Sequence, residues 1–129
     1  MIKKTAITLT VMLTLSAAMM MSGCILLAAG GAAGGVIYAK GDLETTLATT
    51  PDKVAIATEK AFAQLSITKT WAAASQLEAE IHGLTTTDKK VTIISKSTGE
   101  KTCSLSIRVG TFGDKDISQS IFDKIKKNL

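Results

Sequence analysis

The sequence predicts an α+β fold for residues 38–129: two layers, a mainly antiparallel sheet with two helices on one face, in the order β-α-β-β-β-β-α. Three observations predict it. Several runs alternate apolar and polar residues with period two, the mark of strands with one buried and one wet face. Two other runs repeat apolar residues at helical spacing. Short polar links join the strand-like runs, and such links suit hairpins.

The first run, 38–47, reads as one strand, with Leu43, Thr45 and Leu47 on one face and Asp42, Glu44 and Thr46 on the other. Thr50 then holds an N-cap position before Pro51, with Asp52 near the positive end of the helix that follows. Val54, Ala57, Thr58, Ala61 and Leu65 recur at helical spacing, so 51–64 should bury one stripe. Four strands are expected at 66–73, 76–83, 90–97 and 102–109. In the second of these Leu77, Ala79 and Ile81 oppose Gln76, Glu78, Glu80 and His82; in the fourth Cys103, Leu105, Ile107 and Val109 oppose Thr102, Ser104, Ser106 and Arg108. The polar stretches 86–89 and 98–101 link them. The turn 110–114, whose glycines permit positive φ, leads into a last helix from Lys115, with Ile117, Ile121, Ile125 and Leu129 on one face. Lys124, Lys126 and Lys127 suit its negative end.

The N-terminus carries a different kind of signal. Lys3 and Lys4 form a positive head, residues 5–21 hold no charge, and Ser22, Gly23 and Cys24 supply small residues at the end, so 1–23 reads as a signal peptide. The stretch Met21-Ser22-Gly23-Cys24 resembles the lipobox of bacterial lipoproteins; only Met21 departs from the commonest form. The resemblance implies cleavage between Gly23 and Cys24, a diacylglyceryl group on the Cys24 sulfur and an acyl chain, palmitate in type, on its new amino group. Each buried methylene stabilises the anchored state by roughly 0.8 kcal/mol, so two or three chains hold a protein on a membrane where one does not. An uncleaved transmembrane helix is the competing reading, and the Ser-Gly-Cys ending favours processing. Ile25, where enteric sorting would use Asp for inner-membrane retention, points to the outer membrane, facing the periplasm. Residues 24–37 are rich in Ala and Gly and are expected to be a tether; the Gly30/Gly34 and Gly31/Gly35 spacing also fits a helix packing within lipid, but glycine is costly in helices and common in linkers.

Length and charge narrow the function. The 129 residues leave room for one domain after the signal segment. The formal charge is +4, from 15 basic and 11 acidic residues; without Lys3 and Lys4 the balance is 13 to 11, or +2. The basic residues are dispersed and no aromatics alternate with them, so no nucleic-acid partner is expected.

A further resemblance rests on several stretches together. The Gly-Cys lipobox, the Ala-Gly stretch, Tyr38-x-x-Gly41-x-Leu43 and above all Arg108-Val109-Gly110-Thr111-Phe112-Gly113-Asp114 are similar to a group of small bacterial lipoproteins united by domain of unknown function DUF3568. The resemblance implies the anchor and the α+β domain, and carries no known activity or catalytic residues.

The residues offer little chemistry. His82 is the single histidine, and no triad or metal centre is completed around it; Glu78, Glu80 and His82 share a strand face and want a fourth ligand, so a solvated polar face is the preferred reading and no metal is expected. Cys103 lies on an apolar face and reads as a buried small hydrophobe. The glycines of 110–114 lack the lysine and spacing of a phosphate-binding loop. Trp71 and Phe112 are by default core residues; exposed, either would be a candidate anchor for a partner. The expectation is therefore a non-enzymatic, lipid-anchored envelope module without cofactor, bound to the membrane through Cys24 and contacting an envelope protein or an envelope polymer through the exposed face of the sheet or the turn before the last helix; the alternative is a small-ligand or metal-binding periplasmic lipoprotein.

Overall fold

The computed structural model describes residues 35–129. The signal segment, Gly23, Cys24 and most of the tether fall outside the described residues. Six strands and two helices follow: β1 (Ile37–Ala39), β2 (Asp42–Leu47), α1 (Pro51–Gln64), β3 (Thr68–Ala74), β4 (Glu78–Leu84), β5 (Lys90–Gly99), β6 (Thr102–Val109) and α2 (Lys115–Asn128). The strands form one antiparallel sheet in the order β1-β2-β6-β5-β4-β3. The α+β class and the element order agree with the sequence reading.

Alternation along the strands makes one face apolar. Leu43 and Leu47 of β2, Ile81 of β4, Val91 and Ile93 of β5, and Cys103, Leu105, Ile107 and Val109 of β6 are buried together with Val54, Ala57, Ala61 and Phe62 of α1 and Ile121, Phe122 and Ile125 of α2. Fully burying one such side chain contributes about 1.5–3 kcal/mol, and this layer between sheet and helices is the core. The opposite face has no helix over it among the described residues.

Four details differ from the sequence reading. The run 38–47 is not one strand: Lys40 and Gly41, with φ of 54° and 89°, form a two-residue hairpin between β1 and β2, whose paired positive φ values match the twist of flanking strands. Leu77 does not join the buried face of β4. Ser75 Oγ accepts hydrogen bonds from the backbone N–H groups of Leu77 and Glu78, so Gln76 and Leu77 belong to a turn and Leu77 is 75% exposed. Ser66, with φ of 56°, delays the start of β3 to Thr68. Leu129 lies beyond the end of α2 and is exposed rather than packed.

Both helix starts were legible, with different outcomes. Thr50 occupies the N-cap of α1 without a side-chain bond to the backbone. At α2 it is Asp114 that caps, its Oδ1 accepting from the Ile117 N–H at 3.1 Å.

Candidate functional site

Two stretches nearly seventy positions apart in the chain meet at one corner of the sheet. Because β2 pairs with β6, Asp42 stands opposite Arg108, and the β1–β2 hairpin meets the turn that leaves β6. Arg108 joins them. Its Nη1 donates to Asp42 Oδ1 at 3.0 Å, and its Nη2 donates to the carbonyls of Lys40 and Thr111, each at 3.3 Å. A planar guanidinium can hold a carboxylate and two backbone carbonyls at once; an ammonium has no such fork.

The approach of the two backbones explains the glycines. A Cβ on Gly41 would stand 2.6 Å from the Phe112 carbonyl oxygen, and one on Gly113, where φ is 83°, would run into the Gly41 backbone and stand 2.6 Å from Tyr38 Oη. Only residues without a side chain fit both places. The far side of the turn is fixed as well. Gly110 N–H donates to the Lys90 carbonyl at 2.8 Å, and Lys89 Nζ donates to Asp114 Oδ2 at 2.9 Å. Asp114 thus receives a helix N–H and an ammonium, and these hold its carboxyl below the ordinary carboxylate range, the Ile117 N–H having the larger influence.

On this pinned turn stands Phe112, 92% exposed. It borders an open groove of about 420 Å³ lined by Asp88, Lys89, Lys90, Val109 and the turn itself. With the turn tied on both sides, the exposed ring keeps little freedom beyond its own side-chain torsions.

Trp71 is the second candidate, and it too is exposed rather than core, at 51%. It lies on β3, an edge strand, opposite His82 of β4, and the two rings meet edge to face at 5.4 Å and 82°. His82 Nε2 and Glu80 Oε1 are 2.7 Å apart, while Glu78 turns to Lys96 at 3.5 Å. The three side chains considered as a metal site are therefore not gathered on one point, and no group of three possible ligands exists among the described residues. Cys103 is fully buried and unbridged, and burial raises its thiol pKa, which favours the unreactive thiol.

Sequence reasoning named Trp71 and Phe112 and missed the residues that brace the second of them: Tyr38, Gly41, Asp42, Lys89 and Arg108. The available signal was the pair of glycine motifs, Tyr38-x-x-Gly41 and the stretch 108–114, whose contact is a tertiary event that nothing local announces. No helix among the described residues is long and apolar enough to cross a membrane.

No curated protein is a significant match to the chain. A family model described as "Protein of unknown function (DUF3568)" matches residues 6–128, nearly the whole length. The stretches that build the corner, Tyr38 to Leu43 and Arg108 to Asp114, both lie inside that match, and the chain belongs to the DUF3568 family of proteins of unknown function.

Proposed function

We propose that this protein is a lipoprotein of the bacterial cell envelope, anchored in the outer membrane by lipid on Cys24 and facing the periplasm, and that its folded domain is a non-enzymatic module that binds an envelope protein through the Phe112 turn. The observation that carries the binding reading is Phe112 itself, held almost fully in solvent by a turn whose neighbours on both sides are fixed. A large apolar side chain on a rigid support, rimmed by Lys89, Lys90 and Thr111, has the composition of an interface centre with a polar rim. The anchor reading is supported by the order of charge, apolar stretch and Met21-Ser22-Gly23-Cys24.

The anchor is tested by Cys24→Ala, which should leave an unprocessed precursor without fatty-acid mass; normal processing and labelling would remove it. Binding is tested by crosslinking in intact cells: the native chain should yield a reproducible adduct with another envelope protein, and Phe112→Ala should lose it. An adduct that survives Phe112→Ala unchanged would move the interface elsewhere.

A second reading has its own observation. An open pocket of about 340 Å³ is lined by the apolar Leu65, Ile67, Ile117 and Ile121 together with polar residues that include Asp116 and Thr86. Such a pocket suits a small, mostly apolar ligand with one hydrogen-bond donor. Ile117→Trp would fill it; displacement of a bound apolar dye by that variant, with the Phe112 adduct unchanged, would favour this reading over the first.

A further inference from the structure

We propose that β3 is a self-association edge, along which a second copy of this chain adds its own β3 antiparallel and extends the six-stranded sheet to twelve strands across a two-fold axis. Among the described residues β3 pairs with β4 alone, and all seven of its residues are exposed. Its hydrogen-bonding phase follows from one contact: Ser75 N–H donates to the Glu78 carbonyl at 2.8 Å. In an antiparallel ladder bonded and non-bonded pairs alternate, so Ala73 opposite Glu80 and Trp71 opposite His82 spend their backbone groups on β4. Ala72 and Ala74 therefore direct an N–H and a C=O outward. An axis at Ala73 sets Ala72 of each copy against Ala74 of the other, giving four hydrogen bonds between the copies.

The side chains fit that register. Ala73 meets Ala73 of the second copy as a non-bonded pair, where Cα atoms come within about 4.5 Å and small residues are favoured. Trp71 meets Ser75 of the second copy, so one of the largest apolar side chains in solvent is covered by the pairing. Lys69, the one charged residue of β3, is held back on α1 by Glu59 at 2.6 Å and so does not guard the edge in the way charged edge residues do. Lys69 pairs with Glu59 and Glu78 with Lys96 within one copy, so the edge of β3 sets no like charges of the two copies against each other. The Phe112 corner lies at the β1–β2–β6 side of the sheet and stays free in such a pair. The proposal does not depend on the anchor.

The test uses the full chain in cells. Ala73→Cys sits in a pair whose spacing is within the range a disulfide spans, roughly 4.4–6.8 Å between Cα atoms, and should give a covalent dimer on non-reducing gels. The native chain, with Cys24 and Cys103 only, controls for other bridges, and Lys101→Cys, at the exposed β5–β6 turn, should give none. Adding Ala72→Pro, which removes an outward N–H that β4 does not use, should lower the dimer severalfold. Dimer from Ala73→Cys no greater than from Lys101→Cys would overturn the proposal, as would an Ala73→Cys adduct with a different protein.

Discussion

The two exposed aromatics stand on surfaces of opposite kind. Around Phe112 the turn is tied at both ends: Arg108 holds the Lys40 and Thr111 carbonyls, Gly110 bonds to Lys90, and Asp114 caps α2, and the phenyl ring is what stands in solvent. Around Trp71 the reverse holds. The ring is steadied by His82, the three residues that follow it are alanines, and the backbone of an edge strand is what remains. Under the two proposals the first surface needs a pocket on its partner and the second a strand. Exposure of a large apolar residue thus carries little meaning until the state of the backbone beneath it is known.

The contrast can be broken most severely at the glycines. Gly113→Val combines positive φ with collision against the Gly41 backbone, and should cost roughly 2–4 kcal/mol in denaturant unfolding. Gly110→Ala, at φ of 73° with nothing within 4 Å, meets only the backbone strain and should cost about 1 kcal/mol. Equal losses would mean that the corner yields and that its bracing is not what holds the turn.

A smaller effect separates cap from ion pair. The Asp114 carboxyl is depressed in the folded state, so its contribution is complete above the ordinary carboxylate pKa and is lost as pH falls through the lowered value. Asp114→Asn keeps an acceptor for the Ile117 N–H and removes the charge. Stability of that variant, followed from about pH 5 down to about pH 2, should fall less steeply than that of the native chain; parallel curves would assign the acid sensitivity to other carboxylates. Smallest of all, Phe112→Ala should leave unfolding within about 0.5 kcal/mol of native, as expected for a surface residue free of structural duties. A large loss would make Phe112 a packing residue.

How much of this could be read from the chain depends on the range of the cause. The α1 and α2 stripes and the alternation of β6 are local periodicities, and they placed Val54, Ala61, Ile121, Leu105 and Ile107 in the core as observed. The Lys40–Gly41 hairpin is not legible although a residue-glycine pair is present, because period-two alternation is satisfied whether or not the chain reverses; the reversal changes only which residues share a face, as Tyr38 and Leu43 do. Leu77 was misplaced because a short-range event, the Ser75 side chain bonding to two backbone N–H groups, ended the strand pattern early. Trp71 and Phe112 are apolar, so the core is their default expectation, since composition says nothing of edges. Their exposure is set by topology: β3 comes last in the sheet, and the 110–114 turn is drawn sideways onto the hairpin. The bracing of Phe112 joins Tyr38–Asp42 to Arg108–Asp114, a contact no local window contains.

The central claim is that Phe112 is a pre-ordered anchor for a protein other than this one, and a photo-crosslinking residue in place of Phe112 tests it most directly in intact cells. The account predicts one reproducible adduct with a different envelope protein, lost when Gly113→Val loosens the turn. Capture of a second copy alone, or of lipid alone, would contradict it.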